Sequence, residues 1–137
     1  FSVEARVLGR ENYFADAGAK FSPTDLALGW GRMREDAVLG KLSISQGGRF
    51  FYYRWRNEPP IPPGEIVRSA SNMHIIPATP EVERALKRIS ADDNVRIDGW
   101  LVRLDADNGW HWVSSLSRDD SGNGACELVY TCSITRE

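Results

Sequence analysis

Between Thr79 and Leu116 the chain holds a capped amphipathic helix, a strand, an Asn-Gly turn and a second strand, and no other stretch restricts the fold as much. Thr79-Pro80-Glu81 supplies an N-cap hydroxyl and a proline at the first helical position. Val82, Ala85, Leu86 and Ile89 then recur at the i, i+3, i+4, i+7 positions of one helical face, which must be buried. Val95, Ile97, Leu101, Val102 and Leu104 predict a strand whose alternation changes phase at Gly99, as at a bulge or barrel bend. Asp107-Asn108-Gly109 tolerates the positive φ of a tight hairpin, and Trp110 to Leu116 predicts the returning strand.

The remaining elements are read around this unit. Val3, Ala5 and Val7 alternate with Glu4 and Arg6, predicting a strand from Ser2 to Leu8, and the stretch from Gly9 to Lys20 reads as a loop. Ser22-Pro23-Thr24-Asp25 has the form of a helix cap, predicting a short helix from Pro23 to Leu28 that Gly29 ends. Met33 to Leu42 predicts a second short helix, with Val38, Leu39 and Leu42 on one stripe. Arg49 to Arg56 predicts a strand with Phe51, Tyr53 and Trp55 on one side. Pro59, Pro60, Pro62 and Pro63 predict an extended polyproline-like connector, Ile75-Ile76 a brief strand, and Cys126 to Ile134 the last strand. A helix between the third and fourth strands of a five-stranded Greek-key barrel is the OB arrangement, which predicts an α+β, mainly β fold: an OB-like small antiparallel β-barrel with one capped helix and one or two short helices. The whole chain, 1–137, forms one such domain, with a general α+β roll as the alternative.

Composition narrows the function classes. With 137 residues, 42% hydrophobic and 26% charged, the chain is long enough for one core without metal or disulfide staples. A formal net charge of -2 provides no global positive field, so nucleic acid is disfavoured as a partner unless a local basic patch exists. No apolar run approaches the roughly 20 residues that cross a bilayer, so membrane attachment requires an anchor outside this chain. The chain begins at Phe1 without an initiator Met, which predicts that an upstream segment was removed. Cys126 and Cys132 lie about 20 Å apart along a regular strand, too far for a disulfide that needs Cα atoms within about 7 Å.

Asn72 and His74 fall on one side of an extended segment by period-two alternation. Arg118, Asp119 and Asp120 open a polar, glycine-bearing loop that leads directly into Cys126 and Glu127. Asn72, His74, Arg118, Asp119, Asp120 and Glu127 are therefore the candidate ligand-binding residues. A thiolate at Cys126 with His74 as base is the catalytic alternative, and it requires a third group to orient the imidazole. Arg49, Tyr52, Arg54 and Arg56 have the composition of a single-strand nucleic-acid track, against the plainer reading that Phe51, Tyr53 and Trp55 fill the barrel. Trp110 and Trp112 share a face, either as core or as an aromatic platform beside Trp100. His74, His111 and the two cysteines lack the short paired spacings of a zinc site, the acidic loop does not match a calcium-binding helix-loop-helix, and no cofactor motif is present.

The segments Ser22 to Gly31, Ser71 to Ala78, and Ser114 to Asp120 with Gly124 to Glu127 resemble a family of uncharacterised bacterial proteins across nearly the whole chain. The resemblance implies an upstream membrane anchor and an envelope-facing, periplasmic domain, and it transfers no activity and no catalytic residue. The expected function is a non-catalytic binding or interaction module whose partner is an unidentified protein or small ligand. A thiol hydrolase or transferase and a single-stranded nucleic-acid binder are the alternatives.

Overall fold

A computed structural model of the chain describes residues 1–16, 18–114 and 127–137. Five strands close a barrel: β1 (Ser2–Asn12), β2 (Thr24–Gly29), β5 (Ala70–Pro77), β6 (Asn94–Leu101) and β9 (Glu127–Arg136). Their spatial order is β1-β2-β5-β9-β6, with β6 pairing back onto β1. Counted along the barrel, this is the order 1-2-3-5-4. Every pairing is antiparallel except β5 with β9. The helix α3 (Pro80–Lys87) lies between the third and fourth barrel strands, as the sequence predicts, and the Thr79 side chain accepts the Val82 amide.

Alternation along these strands sends Ala5, Val7, Leu26, Leu28, Met73, Ile75, Val95, Ile97 and Val129 into one core. Val82, Leu86 and Ile89 pack into the same core, so the apolar stripe of α3 closes the barrel. At Gly99 the β6–β9 register shifts, and a Cβ there would collide with the backbone carbonyl of Tyr130. The bend predicted from the phase change is thus a place where only a residue without a side chain lets two strands close.

The long connection from β2 to β5 builds a second layer outside the barrel. It contains a 3₁₀ turn (Gly31–Arg34), the one-turn helix α1 (Asp36–Leu39), a hairpin of β3 (Ser43–Gly47) and β4 (Phe50–Arg54), and α2 (Pro63–Ser69). Met33, Val38, Ile61, Ile66 and Ala70 form its core, with Phe51 and Tyr53 packed against it. A last small hairpin, β7 (Arg103–Asp105) with β8 (His111–Val113), turns at Gly109, whose φ is +87°.

Several sequence expectations are corrected. The Ser22-Pro23-Thr24-Asp25 cap does not start a helix: residues 24–29 form β2, every one of them buried. Pairing on both edges and inward burial of Leu26 and Leu28 outweigh the local capping signal. β1 runs on to Asn12 through what reads as loop, because Arg10, Glu11 and Asn12 gain a partner in β2. The helix expected over 33–42 is split at Glu35, which is extended. Pro63 begins α2 at a first-turn position instead of prolonging a polyproline stretch, and the brief strand at Ile75-Ile76 is the eight-residue β5. Phe51, Tyr53 and Trp55 sit on the added hairpin, outside the barrel.

Leu86 is 2% exposed at the centre of the helical plug. Leu86→Ala is expected to lower unfolding stability by about 2–5 kcal/mol, read as a shift of the urea midpoint at unchanged slope.

Candidate functional site

On the outer wall of the barrel, β2 and β5 place Asp25 opposite His74, with Asn72 two residues further along on the same face, opposite Ala27. Residues facing outward on a small barrel are normally solvated, yet Asp25, Asn72 and His74 are 0%, 1% and 2% exposed. Asp25 is buried without loss of hydrogen bonding because three donors reach its carboxylate. His74 Nδ1 and Arg49 Nη1 each lie 2.8 Å from Oδ1, and Asn72 Nδ2 lies 3.0 Å from Oδ2. A carboxylate oxygen only accepts, so Nδ1 of His74 is the donor in this contact.

Arg49 comes from the turn of the β3–β4 hairpin. Gly48 and Arg49 have φ of +59° and +71°, the pair of left-handed residues of a type I′ turn. An arginine in that conformation costs about 1–2 kcal/mol relative to glycine. Here it aims the guanidinium between two carboxylates: Nε and Nη2 donate to Asp16 at 2.7 and 2.9 Å, while Nη1 holds Asp25. The guanidinium lies 3.9 Å from the ring centre of Tyr13 and 5.1 Å from that of Trp112. The Tyr13 hydroxyl accepts the Arg49 amide, Asn72 Nδ2 also donates to the Arg49 carbonyl, and Gln46 Nε2 donates to Asn72 Oδ1.

Burial opposes the charge of Arg49, but its hydrogen bond to Asp16 and the two facing carboxylates leave its pKa raised. The same hydrogen bond holds Asp16 below the usual carboxylate range. Burial pushes the Tyr13 hydroxyl upward.

Aromatic side chains roof the network. Trp112 packs on His74 with ring centres 4.4 Å apart, Trp110 follows at 5.9 Å from Trp112, and Phe21 stacks on Trp110 at 6.3 Å. The Gly18 backbone lies against the Trp112 ring. Three connections therefore converge here: the β1–β2 loop through Tyr13, Asp16 and Phe21, the β3–β4 turn through Arg49, and the β7–β8 hairpin through its indoles.

The structure brings Asn72 and His74 together, as alternation predicts. Glu127 is placed elsewhere: it starts β9 two residues before the core residue Val129 and accepts the Ser71 hydroxyl, on the side of β5 opposite Asn72 and His74. Arg118, Asp119, Asp120 and Cys126 lie outside the described residues. Asp16, Tyr13, the buried-acid role of Asp25, the ionic role of Arg49 and the roofing role of Trp112 escape the sequence reading. Asp25 would have been visible as a buried acid had residues 24–29 been read as a strand. For Arg49 no local signal exists, since arginine is not a residue that marks left-handed turns. Trp100 is 67% exposed and separate from this roof, and Arg49 is withdrawn from the expected nucleic-acid track. Among the described residues no group of His, Cys, Asp and Glu is arranged to hold a metal ion.

Strand order, the parallel β5–β9 pair and the position of α3 define an OB-type barrel, and the network occupies the wall where its first-to-second and fourth-to-fifth strand connections meet. No family model matches the chain, and no curated protein or solved structure is significantly similar to it.

Arg49→Ala leaves Asp25 buried without its cation and is expected to cost about 3–5 kcal/mol, whereas Arg49→Gly recovers about 1 kcal/mol by relieving the left-handed backbone. The contribution of Asp16 is complete above about pH 4, its unfolded value, and is lost as pH falls through its depressed folded value. Denaturant titrations across pH should show the order wild type, Arg49→Gly, Arg49→Ala, with a shallower acid decline in both variants.

Proposed function

We propose that this domain is a non-catalytic binding module that receives its ligand over the Asn72–His74 wall. What carries the proposal is the convergence of three connections on one buried polar network with an aromatic cover. In OB-type barrels the corresponding loops bind oligosaccharides and oligonucleotides, and rigidly held loops are where binding residues concentrate. Arg49 preorganises these loops, while Phe14, 90% exposed in the β1–β2 loop, and Val113, 47% exposed, offer apolar surface for contact. A bacterial envelope location, periplasmic to an upstream anchor, follows from the sequence resemblance. Fractionation of the full-length gene product tests that placement, and recovery only from the cytosol would remove it. Among the described residues no helix is long and apolar enough to cross a membrane.

The test of binding is amide chemical-shift mapping of the labelled domain with maltotriose, a short oligothymidylate and the dipeptide alanyl-alanine. At least one probe is expected to move amides of residues 13–21, 49 and 110–113, and Trp112→Ala should abolish the effect. Shifts confined to other surfaces, or a Trp112→Ala protein that binds as before, would remove the site.

A second reading is favoured by one distance. Asp25 Oδ1 at 2.8 Å from His74 Nδ1 is the orienting contact that a histidine base requires, so a thiol hydrolase or transferase using Cys126 and His74 gains the third group it lacked. In a Cys132→Ser background, iodoacetamide should then alkylate Cys126 rapidly at neutral pH, and His74→Ala or Asp25→Asn should slow it. Alkylation with the pH profile of an ordinary thiol, near pH 8.5, would end this reading.

A further inference from the structure

The β3–β4 hairpin carries a second concavity at the end remote from the Arg49 turn, where Ser43 pairs with Arg54. Residues 40–43 and 54–58 enclose a groove of about 690 Å³. Its charged lining is Lys41, Arg54 and Arg56 against the single carboxylate of Glu58. Arg6, Arg32, Arg49, Arg96 and Arg103 each meet a carboxylate, but Lys41, Arg54 and Arg56 form no ion pair with any described residue. In a chain of net charge -2, three cations facing one carboxylate around one groove create a local positive field.

The groove also contains the exposed end of an aromatic row. Phe51 and Tyr53 lie 5.6 Å apart and pack on the second core, and Trp55 continues the row at 6.5 Å from Tyr53 with the planes within 24°. Trp55 is 36% exposed and lines the groove. A flat ring entering there adds one more member to a stack whose other members are already held in place, so little ordering cost remains.

The geometry points to a binding site for a nucleoside phosphate, with Lys41, Arg54 and Arg56 neutralising the phosphates and Trp55 stacking the base. The volume is that of a small-ligand site, about 300–1,000 Å³. A nucleic-acid strand carries the same chemistry and is disfavoured by two observations. Arg49, the further cation of this hairpin, is sequestered by Asp16 and Asp25, and the overall charge attracts no polyanion. This groove is independent of the Asn72–His74 wall and does not rest on the reading of that site.

The experiment titrates the labelled domain with ADP, adenosine and inorganic phosphate at low ionic strength, following amide and indole resonances. ADP should shift residues 40–43, 54–58 and the Trp55 indole, with adenosine and phosphate each weaker by about tenfold or more. Arg54→Gln/Arg56→Gln and Trp55→Leu should each weaken ADP about tenfold, Glu58→Gln should strengthen it, and added salt should weaken it. Trp112→Ala should bind ADP as the wild type does. These side chains are exposed, and circular dichroism will verify that the variants keep the fold. The proposal is overturned by absence of binding at millimolar ADP, by shifts mapping elsewhere, or by an unchanged Arg54→Gln/Arg56→Gln affinity. An oligothymidylate binding more tightly than ADP would overturn the assignment to a free nucleotide in favour of a strand.

Discussion

Asp25 places a fully buried carboxylate on the outside of a β-barrel, and the arrangement of everything above that wall follows from satisfying it. A charge removed from water in this way is strongly destabilising unless a counter-charge and hydrogen-bond donors surround it. The chain meets that demand with Arg49, His74 and Asn72. Because Arg49 also engages Asp16 and lies beside Tyr13 and Trp112, one ionic contact ties a strand, a hairpin turn and two loops into a single arrangement. The left-handed backbone of Arg49 is tolerated for the same reason: the contacts that it makes outweigh the strain.

The barrel beneath is indifferent to this chemistry. Its stability comes from inward-facing aliphatic side chains and from the α3 plug, and the closure of β6 onto β9 depends on the missing side chain at Gly99. Rigid frame and adaptable connections are thus separated in space. The β2–β5 connection brings its own small core, which lets it carry a hairpin with one end committed to the Asp25 network and the other end open as a basic, Trp55-bearing groove.

How much of this was readable in advance depended on whether local and tertiary preferences agreed. For α3, the cap, the proline and the apolar period all describe the same helix, so Val82, Leu86 and Ile89 were identifiable as its buried face. At Gly99 a change of phase in alternating residues was enough to mark the bend. At residues 24–29 the preferences conflicted. Ser22-Pro23-Thr24-Asp25 satisfies every short-range rule for a helix start, while Leu26 and Leu28 also satisfy the period of a strand, and only the presence of β1 and β5 on either side decides between them. Misreading that segment hid Asp25, and with it the reason that Asn72 and His74 are buried together.

Order along the chain, the side chains that must leave water and the residues able to turn tightly were set by the amino-acid sequence, because each depends on neighbours within a few positions. That is why the five-stranded barrel with its helix between the third and fourth strands could be inferred. The site was decided by tertiary structure. Asp16, Asp25, Arg49, His74 and Trp112 are separated by up to 96 positions between Asp16 and Trp112, and their assembly depends on barrel closure and on one arginine held in a conformation that its own type disfavours. Coulombic pairing and ring contact act over a few ångströms of space whatever the distance along the chain, so no pattern of spacing records them.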